Sequence, residues 1–254
     1  MLLAHELIGH ADDPAIILIH GITDSRHMWH PLLHDLAQHH LVLAVDLRGH
    51  GDSDNDSPYD PITYATDVVE TAAALGVTNP LVIGHSLGGV VASAYAAIAP
   101  TVGVINVDQP LRLSAFKAGL APLEEMLKGS RREFEQAIEM VFAAMDGPLP
   151  AEEKARLEHN RHADQDVVLG TWASVFDSTE EELDETVAAL AGGIKVPYLS
   201  LHGIDPGPDY AAWLQHLVPT ATVELWPDLG HYVQLVEPKR FLERVAAFEA
   251  QVHS

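Results

Sequence analysis

Short apolar runs punctuate the chain at Ile16–Ile19, Leu41–Val45, Leu81–Ile83, Val102–Val107 and Val196–Leu201, with Thr222–Leu225 as a sixth. They are continuous rather than alternating, as befits strands buried on both faces of a parallel sheet. Between them, apolar residues recurring every three or four positions predict helices over Trp29–Ala37, Ile62–Leu75, Leu87–Ala99, Tyr210–Leu217 and Phe241–Phe248. Alternation of strand and helix argues for an α/β fold with a doubly wound, mostly parallel sheet. The rhythm breaks once. From Val107 to Val196 the pattern is helical only, as in Ser130–Met145, which Ser130 and Glu133 open as a capping box, and in the Glu-rich Glu180–Leu190. We expect residues 111–195 to form an all-helical cap insertion over one end of the sheet. The core is then residues 1–110 and 196–254.

One stretch needs weighing against a membrane span. Thr71 to Val107 holds no Asp, Glu, Lys or Arg, and its length suffices to cross a bilayer. However, Gly76, Pro80, Gly84, Gly88, Gly89, Pro100 and Gly103 cut it into short pieces. A helix between buried parallel strands is uncharged for the same reason as a membrane helix: it does not meet water. The stretch therefore reads as the buried centre of the sheet.

Composition removes several function classes. The chain has 254 residues, 47% of them hydrophobic, and 37 acidic residues against 14 basic ones, a net charge of −23. Such a charge repels phosphate backbones and anionic lipid, so neither nucleic acid nor a membrane surface is an expected partner. There is no cysteine, which excludes disulfides, thiolate metal sites and a Cys nucleophile. The first ten residues carry no Lys or Arg and include Glu6, so a secretory leader is not visible and a cytoplasmic location is expected. The pairs His39-His40 and His159/His162 lack clustered carboxylates, so neither a metal nor a cofactor is expected. A monomer or homodimer acting on a small molecule fits these totals.

The strongest chemical signal is Gly84-His85-Ser86-Leu87-Gly88, between a predicted strand and a small-residue helix. A serine on so sharp a turn presents its hydroxyl beyond the strand end, and glycines flank it because side chains there clash. Ser86 is thus the candidate nucleophile. Earlier, His20-Gly21-Ile22 ends another strand. The Ile22 amide, together with that of Leu87, is positioned to receive a developing oxyanion. Asp46 and Arg48, in the polar run Asp46–Ser53, read as structural pairing partners rather than catalysts. His231, in Gly230-His231 near the C-terminus, is the candidate base.

These motifs, together with Glu237-Pro238, occur in the order and spacing of the α/β-hydrolase superfamily, which the chain resembles. That resemblance implies a Ser–His–acid triad, a cap where the insertion falls, and an N-terminal hairpin here truncated, since only about fourteen residues precede the first core strand. It leaves two places for the acid. Most members carry it after the first strand beyond the cap, where this chain has Asp205; a minority carry it after the strand before the cap, where it has Asp108. Asp205 lies one residue closer to Gly203 than is usual, in a short proline-rich loop, and Asp108 directly ends an apolar strand, so Asp108 is preferred and Asp205 is the alternative.

The implied activity is a serine hydrolase cleaving a small, fairly apolar carboxylic ester or lactone through an acyl-enzyme. Alternatives on the same residues are a carbon–carbon bond hydrolase, or a cofactor-free dioxygenase using the His231–Asp108 pair. A ligand-binding role that retains the triad is a third. Met126, Met140, Phe142, Met145, Trp172 and Phe176 of the insertion, with Met28 and Trp29, are candidates to line the pocket. The acidic loop Asp52, Asp54, Asp56 and Asp60 is expected to face its mouth, favouring neutral or cationic substrates.

Overall fold

A computed structural model describes residues 1–143 and 145–252. Ala144, inside the predicted Ser130–Met145 helix, and residues 253–254, at the end of the predicted core, lie outside that description. Seven strands form one sheet: β1 (His5–Ile8), β2 (Ala15–Ile19), β3 (Leu41–Val45), β4 (Leu81–His85), β5 (Gly103–Val107), β6 (Tyr198–His202) and β7 (Ala221–Leu225). Their spatial order is β1-β3-β2-β4-β5-β6-β7. Only β1 runs antiparallel, pairing with β3 so that His5 faces Val45 and Ile8 faces Val42. The remaining pairs are parallel, and β3, β4, β5 and β6 are buried at every residue. Full burial is what the unbroken apolar runs require.

Two apolar layers sandwich the sheet. On one face Leu43, Val45, Val82 and Val104 pack with Tyr64, Val68, Val91 and Tyr95 of the helices Pro61–Ala74 and Leu87–Ile98. On the other, Val42, Ile83, Ile105 and Leu199 pack with Trp29, Leu32, Phe241 and Val245. Within each strand successive residues thus feed opposite layers, the period-two geometry of a pleated sheet. The uncharged stretch from Thr71 lies at the middle of this sandwich. Among the described residues no helix is long and apolar enough to cross a membrane.

Between β5 and β6 the described chain carries helices and no strand. Arg131–Ala143 begins beside Ser130, whose amide donates to Glu133 Oε2 at 2.7 Å. Glu180–Ala191 is opened by a full capping box, Thr179 with Glu182. Strand β1 escapes the apolar pattern because it is an edge of four residues that includes His5 and Glu6.

Candidate active site

Ser86 joins β4 to the helix Leu87–Ile98 with φ 54° and ψ −125°, a left-handed backbone that a side chain rarely adopts. Its glycine flanks are enforced by contact. A Cβ on Gly84 lies 1.9 Å from the Gly88 carbonyl oxygen, and one on Gly88 lies 2.3 Å from that of Ile19. Strain of this kind persists only where the surroundings fix it, and it is characteristic of functional turns. The turn is held by the Ser86 amide donating to Val107 O at 3.0 Å and the Gly89 amide donating to Ser86 O at 2.7 Å.

The loop after β2 lies directly against this turn, since a Cβ on Gly21 sits 3.1 Å from Ser86 Cβ. Thr23, two residues on, is also left-handed at φ 64°. Ile22 and Leu87 line the same cavity as Ser86, and among the described residues neither amide donates to a protein acceptor. Free N–H groups beside a serine can receive a tetrahedral oxyanion.

Asp108 ends β5 with φ 52°. Its Oδ2 lies 2.6 Å from His231 Nδ1, and its Oδ1 accepts the Gly203 and Ile204 amides at 2.7 and 3.1 Å. A carboxylate is acceptor-only, so Nδ1 carries the proton and Nε2 is left as the basic nitrogen. The structure brings Asp108, not Asp205, to His231. The loop that holds Asp205 instead supplies amides to Asp108, and Asp205 Oδ1 accepts its own turn's Gly207 amide at 2.8 Å. His202 lies 3.9 Å from the same Asp108 oxygen, accepts or donates to Ser200 Oγ at 2.7 Å, and is pushed down to about 4 by burial, so it stays neutral.

Ser86, Asp108 and His231 share a cavity of about 320 Å³ with Ile22, Leu87 and Asp205. Its remaining wall is mostly apolar, from Val90, Phe116, Val141, Phe142, Met145, Trp172 and Val175. Of the residues expected to line it, Phe142, Met145 and Trp172 do. Met126 and Phe176 pack into the apolar layer instead, Met140 is 55% exposed, and Met28 and Trp29 are buried under the opposite face of the sheet. None of Asp52, Asp54, Asp56 and Asp60 lines the cavity, although Pro61, next to Asp60, does. Asp52 pairs with Arg26 at 2.8 Å and Asp60 caps Pro61–Ala74 through the Ile62 and Thr63 amides. Asp46 and Arg48 are structural but not each other's partners; Asp46 binds Arg26, and Arg48 binds Asp67 at 2.5 and 2.8 Å.

A further set of contacts carried no sequence signal. Met145 O accepts the His231 amide at 2.9 Å, and Thr23 O accepts the His162 amide at 2.9 Å. Arg161 donates to Tyr232 Oη at 2.8 Å, lies over the Phe142 ring at 3.8 Å and sits 3.8 Å from Asp24 Oδ1. Burial raises the Asp24 carboxyl from 3.8 to about 6, against the pull of Arg161. Residues of the helical segment thus fasten both the loop after β2 and the His231 loop. Their spacing from those partners is too long for any local motif to report.

Comparison with known proteins agrees with this geometry. The chain is 39% identical over 103 residues to an uncharacterized protein of Mycobacterium tuberculosis, a match spanning 40% of this chain but only 29% of that protein. It is 26% identical over 247 residues to the 2-(acetamidomethylene)succinate hydrolase of Mesorhizobium japonicum, covering 92% of this chain and 87% of that one. Among solved structures it is similar to the enol-lactonase of Burkholderia xenovorans, with TM-score 0.76 and 21% identity over 98% of this chain and 96% of that chain. The family model described as "Alpha/beta hydrolase family" matches residues 16–244, nearly the whole described fold, and the chain belongs to that family.

Proposed function

We propose that this hydrolase cleaves a small, fairly apolar carboxylic ester or lactone through an acyl-enzyme on Ser86, with residues 111–195 acting as the cap over the site. The observation that carries the reading is the strained Ser86 turn opening into the same apolar cavity as a His231 whose Nδ1 is bound to Asp108. His231 Nε2 takes the Ser86 proton as Oγ attacks the substrate carbonyl, and Asp108 holds the tautomer and offsets the imidazolium charge. The Ile22 and Leu87 amides receive the oxyanion. His231 then returns the proton to the leaving oxygen, and water, activated by the same imidazole, releases the acid.

By their names, the similar enol-lactonase and 2-(acetamidomethylene)succinate hydrolase act on a lactone and on a substituted succinate, and a lactone falls within the class proposed. Turnover of short 4-nitrophenyl esters and of lactones by wild type and Ser86→Ala tests the reading. Ser86→Ala is expected to lose essentially all turnover, on the order of 10⁴-fold or more. Retention of wild-type rates on every substrate that the chain cleaves removes Ser86 from the chemistry.

A further inference from the structure

The wall of the cavity that holds Ser86 includes one arginine that, among the described residues, has no carboxylate partner. Asp108 is occupied by His231 and two amides, and Asp205 lies on an exposed turn with its Oδ1 on the Gly207 amide. Arg112 is the cation of the wall, and among the described residues no carboxylate pairs with it. Arg240, over the Trp226 ring, likewise has no acid among the described residues, but of the two only Arg112 lines this cavity.

Arg112 is held at both ends. At its root, the Asp108 amide donates to Leu201 O at 2.7 Å, Asn106 Nδ2 donates to Gln109 O at 2.8 Å, and the Leu111 amide donates to Tyr210 Oη at 3.0 Å. At its tip, the guanidinium carbon lies 4.8 Å from the centroid of the Trp213 ring, which is itself stacked on Tyr210. Among the described residues no protein acceptor takes an Arg112 N–H, so the guanidinium donors remain available to a planar oxyanion, which an arginine binds through two parallel hydrogen bonds.

We propose that Arg112 seats a carboxylate of the substrate, remote from the carbonyl that Ser86 attacks, so that the preferred ester or lactone carries an anionic group. The assignment rests on the acyl-enzyme reading above. It also reverses the expectation drawn from net charge. The −23 of the whole molecule acts from a distance and is screened beyond about 8 Å at physiological salt, whereas Arg112 acts in contact.

The test compares 4-nitrophenyl hydrogen glutarate with its methyl-capped diester. Wild type is expected to favour the hemiester at least about tenfold in kcat/KM, chiefly through KM, as a charge-assisted pair allows. Arg112→Met erases that preference, and Arg112→Lys, which keeps the charge but loses the fork, retains part of it. No preference in wild type, or an undiminished one in Arg112→Met, overturns the proposal. A second arm does not depend on turnover: calorimetry of glutarate with Ser86→Ala and with the Ser86→Ala/Arg112→Met double variant. Binding to the first and not to the second supports the seat; equal binding, or none to either, overturns it. Failure of the acyl-enzyme reading shows separately, as Ser86→Ala cleaving the capped diester at the wild-type rate.

Discussion

Asp108 accepts three N–H donors, from His231, Gly203 and Ile204, and is 3% exposed. An asparagine there offers an amide nitrogen to at least one of those donors and disfavours the Nδ1-protonated tautomer. Asp108→Asn is therefore expected to lower kcat by roughly 10³- to 10⁴-fold, with KM little changed. Asp205→Asn, read by the same ester kinetics, should show a far smaller loss, because its carboxylate does not touch His231. Choosing between these two aspartates was the least legible part of the sequence. Both follow apolar strands in polar loops, and only the three-dimensional course of the Gly203–Ile204 backbone tells which carboxylate it cradles. Asp24 supplies a different residue-scale prediction. Folded, it holds its proton to about 6; unfolded, only to about 3.8. Across that window the folded state binds more protons, so this group's contribution to stability falls as pH rises. Denaturant melts of wild type and Asp24→Asn at both ends of the window should show wild type losing on the order of 3 kcal/mol relative to the variant as pH rises. A gap that does not vary with pH removes Asp24 as the titrating group.

The elbow and the helical segment behave as units. At the elbow, the glycines that named the motif are required by backbone packed against backbone, which is why five letters in the sequence suffice to announce it. Gly84→Ala places a Cβ 1.9 Å from the Gly88 oxygen, a contact that no flexible side chain can relieve. It is expected to destabilise the fold by on the order of 3 kcal/mol or more, measured by chemical denaturation. The helical segment was legible as helix, through its period and the Ser130–Glu133 capping box, but not in what it faces. Phe142 and Trp172 line the cavity while Met126 and Phe176 fill the apolar layer, and one period accommodates both. Arg161 was not legible at all, since its partners Asp24 and Tyr232 are distant in sequence and belong to loops. Arg161→Met removes the Tyr232 hydrogen bond and the cation beside Asp24. A stability loss of about 2 kcal/mol is expected from thermal or chemical melts, together with a fall in kcat per titrated active site. An intact kcat limits Arg161 to holding the fold.

For the molecule as a whole, parallel strands gather distant residues at one edge. Ile22, Ser86 and Asp108 follow β2, β4 and β5, adjacent in the sheet, and His231 follows β7. Loops at the carboxyl ends of parallel strands are where such sheets place their ligand crevices. This explains why the order of motifs could be read from the sequence while the cavity between them could not. Five of the seven strands stand out as apolar runs because they are buried; of the two edges, β7 is only partly buried and β1 has no apolar run, because an edge strand needs no continuous apolar face. Net charge, read alone, does not place the loop aspartates: Asp52 is engaged by Arg26 and Asp60 by a helix terminus, and none of Asp52, Asp54, Asp56 and Asp60 lines the cavity. The central claim is that Ser86 is the acylated nucleophile. Intact-protein mass spectrometry after treatment with a fluorophosphonate tests it most directly. One adduct per chain on wild type, mapped to the peptide that contains Ser86 and absent from Ser86→Ala, is the predicted result; an unmodified wild type, or equal modification of Ser86→Ala, contradicts it.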